Sequence, residues 1–156
     1  MTVAQPKPLV LYVEDDPDTF RLASLRLESR YELLGASTDR EACALISQHA
    51  DRLFAVLMDI ELQGSQLDGI ALVKAMRGLS PRAGMPPWVQ TLPKLPHLPV
   101  IVLTAFASRY PEAEVKAAGA THLLAKPIDF ARLNLALAQA NIQSVMARLA
   151  SQPSKR

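Results

Sequence analysis

Five residues with the means for chemistry each follow a short apolar run. Glu14 and Asp15 come after VLYV, Asp59 after LFAVLM, Thr104 after VIVL and Lys126 after HLLA. Brought together, three carboxylates, a hydroxyl and an ammonium suit a hard cation beside a phosphoryl group. Mg²⁺ takes oxygen ligands and keeps several waters, so two or three carboxylates are enough to hold it. A carboxylate can also attack phosphorus to give an acyl phosphate. Charge on the transferring group is then stabilised by cation, ammonium and hydroxyl. Singly, each residue has an ordinary explanation: a turn residue, a helix cap, a solvated lysine. Their shared position at strand ends sets them apart, and Asp59 is the acid best placed to act as nucleophile.

The elements that must position these residues alternate. Strands are expected at 10–13, 31–36, 53–58, 100–103 and 122–125. Helices are expected from Pro17, with Asp16 as N-cap, then at 39–49, 68–79, 111–118 and 129–150. The unbroken apolarity before Asp59 fits a strand covered on both faces. Five strands alternating with five helices predict an α/β, doubly wound, five-stranded parallel sheet. In such sheets ligands bind beyond the carboxyl ends of the strands, where these five residues fall.

Composition narrows the class. The chain has 156 residues, 49% apolar and 5% aromatic, which suits one globular domain with an aliphatic core. No apolar run approaches membrane-spanning length, so a cytoplasmic protein without membrane contact is expected. The 17 Lys and Arg are scattered among 15 Asp and Glu, which argues against direct nucleic-acid binding. The single Cys43 excludes an internal disulfide and reads as a small buried hydrophobe. Residues 80–99 carry six of the twelve prolines and the only tryptophan, Trp88. Helix-to-strand connections in such folds run about 2–6 residues, so this segment is an insertion.

The segments LVLYVEDDPD, AVLMDIELQG with LDGI, PVIVLTAFA and GATHLLAKPID together resemble the receiver domains of bacterial two-component response regulators. The resemblance spans residues 8 to about 145 and implies a flavodoxin-like strand order, 2-1-3-4-5. It implies Asp59 as phosphoacceptor, with Glu14, Asp15, Asp59 and the backbone carbonyl of Glu61 around Mg²⁺. It makes Thr104 the switch hydroxyl and Lys126 the phosphate-binding ammonium, and it implies a cis Lys126–Pro127 bond. A histidine kinase or phosphotransfer protein would supply the phosphoryl group, and a downstream protein would receive the signal by contact. The implied protein is a signalling domain rather than an enzyme, limited to self-phosphorylation from small donors and self-dephosphorylation. Residues 1–150 would form the receiver, with 80–99 inserted between the third helix and fourth strand and 151–156 a polar tail.

There are departures. Gln63 stands where the family has proline, and two extra residues precede Asp68–Gly69. Leu123 replaces the aromatic that usually swings inward on activation. Two other functions therefore stay open: a phosphorylation-independent interaction module, and an aspartyl-nucleophile phosphohydrolase with Glu61 in the general-acid position. Glu61 and Phe106 would flank the path of attacking water. Output is expected at the insertion, through Trp88 unless that residue folds back to plug the domain's own surface, and at the last helix, including a homodimer through that helix. There Leu135, Ala138, Ile142, Val145, Met146 and Leu149 share a stripe, with 135–142 expected to face the core.

Overall fold

The structure, a computed structural model, describes residues 6–152. The first five residues of the expected domain, and residues 153–156 of the expected tail, lie outside them. Five strands form one parallel sheet: β1 (Leu9–Val13), β2 (Glu32–Ala36), β3 (Leu53–Asp59), β4 (Val100–Thr104) and β5 (His122–Ala125), in the order β2-β1-β3-β4-β5. The helices are α1 (Pro17–Leu27), α2 (Asp39–His49), α3 (Gly69–Arg77), a single turn α4 (Pro87–Gln90), α5 (Glu112–Ala117) and α6 (Phe130–Ser151). The flavodoxin-like order and the doubly wound class are as the sequence predicts.

Both faces of the sheet are covered because its central strands alternate between two apolar layers. Val10, Tyr12, Ala55, Leu57, Ile101 and Leu103 pack with Ala23 and Leu27 of α1 and Leu133, Ala136 and Leu137 of α6. Leu11, Val13, Val56, Met58, Val100 and Val102 pack on the other side with α2 and α3, where Cys43 is also buried. Side chains of period two on strands that run without polar interruption leave no alternative.

The proline-rich segment is part of this second layer. Val89, Leu92 and Leu98 are buried there, and Trp88 is half-buried against the same cluster with Arg40 over its ring at 5.7 Å. Leu95 N–H donates to the Met76 carbonyl at 2.7 Å, tying the segment to the end of α3. Of the two expectations for Trp88 the output surface is therefore corrected and the folded-back one stands: prolines shape a loop that closes the domain's own core.

The last helix also departs from expectation. Its buried residues are Leu133, Ala136, Leu137, Ala140 and Ser144, whereas Leu135 is 58% and Ile142 63% exposed. Leu133 and Leu137 make the large apolar contacts to the sheet, with Ala136 and Ala140 on the same buried face. With apolar residues on both sides, periodicity could not choose between them.

Because Leu92 is 1% exposed, Leu92→Ala should destabilise the domain by about 2–4 kcal/mol. Urea unfolding should show the loss as a lower midpoint at unchanged slope. A change within error would restore the insertion as a surface appendage.

Candidate functional site

Register builds the site. Val13 pairs with Met58, so the next residues, Glu14 and Asp59, emerge side by side at the carboxyl edge. Asp59 in turn pairs with Leu103, and Thr104 with Ala125, bringing Thr104 and Lys126 to the same rim. All five candidates thus meet at one edge. Glu14, Asp59 and Thr104 are buried there. A cleft of about 160 Å³ is lined by Asp15, Asp59, Glu61, Gln63, Ala105, Phe106 and Lys126.

Glu14, Asp15 and Asp59 offer carboxylate oxygens that all lie within 4.8 Å of one another. Lys126 Nζ lies 3.2 Å from Asp59 Oδ2 and also pairs with Glu14 Oε2. Glu14 is held further by Tyr12, whose hydroxyl donates at 3.1 Å, and by Asp16 N–H at 3.2 Å. Burial, then the neighbouring Glu14 charge, pushes the Asp59 carboxyl up to about 6, against the pull of Lys126. Burial works against the Lys126 ammonium, but the carboxylates of Glu14 and Asp59 outweigh it and raise its pKa. Three carboxylates against one ammonium leave a deficit of two positive charges. Together with the all-oxygen donor set, that deficit fits a divalent hard cation.

The loop from β3 to α3 is fixed at several points. Gly69 begins α3 so close to β3 that an added Cβ would stand 2.0 Å from the Asp59 carbonyl oxygen. Only glycine permits that approach. Gly64 has φ +78°, in the left-handed region, in the turn closed by Ser65 N–H donating to the Leu62 carbonyl at 3.2 Å. Gln63 N–H donates to Asp15 Oδ2 at 3.1 Å. Asp39, 2% exposed, accepts from Gln66 N–H at 3.2 Å and Leu67 N–H at 3.1 Å. Its own N–H donates to Ser65 Oγ at 2.9 Å.

Sequence reasoning missed this anchoring role of Asp39, which it placed only as the start of α2. The one signal was an acid at a helix start preceding a lengthened loop. Asp16, by contrast, accepts from Asp18 and Thr19 N–H as the expected N-cap.

On the opposite side, Thr104 Oγ1 accepts from Phe106 N–H at 3.0 Å. Phe106 is 39% exposed, with the Arg109 guanidinium 4.5 Å from its ring centroid. Arg109 reaches Glu61 Oε1 at 3.9 Å. Leu123 is half-buried against the core, and Lys126–Pro127 is cis.

A doubly wound parallel sheet carrying an acid triad and an ammonium at its carboxyl edge defines the class. Residues 10–138 match the model of the response regulator receiver domain, and the chain belongs to that family. It is 30% identical over 124 residues to the polar-differentiation response regulator DivK of Brucella ovis, covering 79% of this chain and 87% of that protein. Among solved structures, NtrX from Brucella abortus matches with a TM-score of 0.74 and 27% identity. The match covers 93% of this chain but 29% of that one, so this chain spans under a third of NtrX. A receiver domain protein from Clostridium thermocellum matches with a TM-score of 0.71, 19% identity and coverage of 89% and 98%. That likeness bears on the fold alone.

The raised Asp59 pKa makes a prediction for the metal-free protein. A carboxyl whose folded pKa is raised contributes stability at low pH, which is lost as pH climbs through about 6. Asp59→Asn should therefore be more stable than the parent by about 1–3 kcal/mol at pH 7. The gain should shrink toward zero near pH 4. Thermal melts across that range without divalent ions check this, and a pH-independent difference would contradict it.

Proposed function

We propose that the chain is a phosphoacceptor of two-component signalling, phosphorylated on Asp59. The reading rests on one observation above all: three carboxylates converge at the sheet edge with the Lys126 ammonium 3.2 Å from Asp59. An Asp59 oxygen attacks the phosphorus of a phosphohistidine. The new O–P bond forms as the N–P bond breaks, and the imidazole leaves with the bonding pair. Lys126, already against Asp59, shifts its contact to the incoming phosphoryl oxygens. The Thr104 hydroxyl, which accepts from Phe106 N–H, still has its own proton to donate to one of them. Receiver domains typically bind Mg²⁺ at such an acidic cluster. Here Glu14, Asp15, Asp59 and the Glu61 carbonyl would hold it, and it would supply Lewis-acid charge neutralisation.

A histidine kinase or phosphotransfer protein is the proposed donor, and a downstream protein the target, both in the cytoplasm. Two features favour a second reading, an interaction module that signals without phosphate: Leu123 in place of the switch aromatic, and the tightly anchored β3–α3 loop. A phosphohydrolase is disfavoured, because the Glu61 carboxylate reaches toward Arg109 on the exposed rim.

Incubation with acetyl phosphate, with and without Mg²⁺, tests the proposal. Stoichiometric, Mg²⁺-dependent, hydroxylamine-sensitive labelling is expected, and Asp59→Asn should abolish it. No labelling of the parent would favour the interaction module, and continuous turnover the hydrolase. Asp15→Ala should weaken Mg²⁺ binding about tenfold or more, while Asp16→Ala, which removes only a helix cap, should leave it unchanged. Calorimetric titration distinguishes them.

Phe106 bears on the lifetime of the phosphoryl group. Its ring lines the cleft beside Asp59, where bulk hinders in-line water. Phe106→Ala should speed loss of the label severalfold, and an unchanged rate would make Phe106 a packing residue only.

A further inference from the structure

A loosely held cation stands at the mouth of the acidic cleft. Arg109 Nη1 lies 3.9 Å from Glu61 Oε1, and the two side chains are 66% and 48% exposed. That is well beyond the roughly 2.7–2.9 Å of a charge-assisted hydrogen bond. The guanidinium also rests 4.5 Å from the Phe106 ring centroid. Glu61 and Phe106 both line the cleft that contains Asp59 and Lys126. Among the described residues, Arg109 is the one cation besides Lys126 paired with an acid of that cleft. An exposed pair of this length adds little stability in water, so the guanidinium is parked rather than fixed. Its backbone is better secured. Arg109 N–H donates to the Phe106 carbonyl at 2.9 Å in the single 3₁₀ turn Ala107–Arg109, and Phe106 N–H donates to Thr104 Oγ1 at 3.0 Å. Two hydrogen bonds thus hold the base of a long, free side chain to the rim that carries Asp59.

The charge at Asp59 gives that side chain a use. Three carboxylates and one ammonium are brought to neutrality by a divalent cation. Phosphorylation then replaces the single charge of the Asp59 carboxylate with an acyl phosphate of about two negative charges. One negative charge is left that neither Lys126 nor the cation cancels. We propose that Arg109 supplies the missing positive charge: when Asp59 carries a phosphoryl group, the guanidinium leaves Glu61 and pairs with the outer phosphoryl oxygens.

The planar fork of arginine matches two phosphoryl oxygens at once, and a dianion outcompetes a single exposed carboxylate for it. Glu61 is then the resting partner of Arg109 and its competitor, since its charge repels the phosphoryl group. The exchange breaks one ion pair and makes another, with no covalent bond or proton moved. This inference rests on the phosphoacceptor reading and adds to it a residue that touches the phosphoryl group only after transfer.

Calorimetric titration of the full chain with trifluoroberyllate in the presence of Mg²⁺ tests it. Bound to Asp59, this tetrahedral anion carries the same charge as the acyl phosphate. Arg109→Gln should weaken its binding about tenfold, the worth of one charge-assisted contact. Glu61→Gln should tighten it severalfold, because Arg109 is released and a repelling charge is removed. Arg109→Lys should recover part of the loss through charge alone. The difference between parent and Arg109→Gln should fade at about 1 M salt, where the Debye length is about 3 Å. Both side chains are exposed, so the variants should keep the parent's circular dichroism. If the pair served only to hold the loop, losing either member would act in the same direction. Weakened binding in both Arg109→Gln and Glu61→Gln, or parent affinity in Arg109→Gln, would therefore overturn the proposal. Acetyl phosphate labelling of the parent separates the two readings. A parent that labels on Asp59 while Arg109→Gln keeps full affinity rejects the role of Arg109 alone, and a parent that takes neither label nor trifluoroberyllate rejects both.

Discussion

Like charges forced together at the end of a sheet are the constraint around which this domain is arranged. Strand register delivers Glu14 and Asp59 to adjacent positions whatever their charge, and Asp15 follows at once. Backbone pairing and apolar burial across both faces hold that crowding in place, since a sheet with this much buried surface tolerates local repulsion at its rim. Among the described residues, Lys126 is the only cation paired with Glu14 and Asp59. Tyr12, whose pKa is raised by burial and by Glu14, contributes a neutral donor from beneath. The rest of the site can be understood as what is needed to keep one ammonium facing two carboxylates while a third stays open to solvent.

Much of this was legible in the chain. The five strand-end residues were visible because a parallel sheet converts apolar runs into rigid spacers that all terminate on the same edge. Asp16 and Pro17 were equally clear, since capping depends on residue type. Gly69 came with the family motif, although its reason, contact with the Asp59 carbonyl, needed coordinates.

What the chain concealed were choices between equivalent surfaces. Helix α6 is apolar on two sides, and only burial in the fold reveals that Leu133, Ala136, Leu137 and Ala140 face inward. The insertion offered prolines and a tryptophan, marks of either an exposed loop or a folded-back plug. Leu92 and Val89 decide between them, and neither stood out as a residue. The role of Asp39 was hidden because the partners of its carboxylate are backbone N–H groups 27 and 28 residues away, which carry no signature of side-chain type.

The uneven fastening of the two loops beside Asp59 has a mechanical consequence. On the α3 side, Gly69, Gln63 and the buried Asp39 carboxylate join the loop to two helices through short backbone contacts. On the β4 side, residues 105–109 are retained by one hydroxyl and by an exposed ion pair, which contributes little in water. Stiffness on one flank and compliance on the other make the domain a lever with a fixed fulcrum. A load applied at Asp59 would meet less resistance from the segment through Phe106 and Arg109 than from α2 and α3. The compliant face is therefore the one above β4 and β5, on the opposite flank from the lengthened loop.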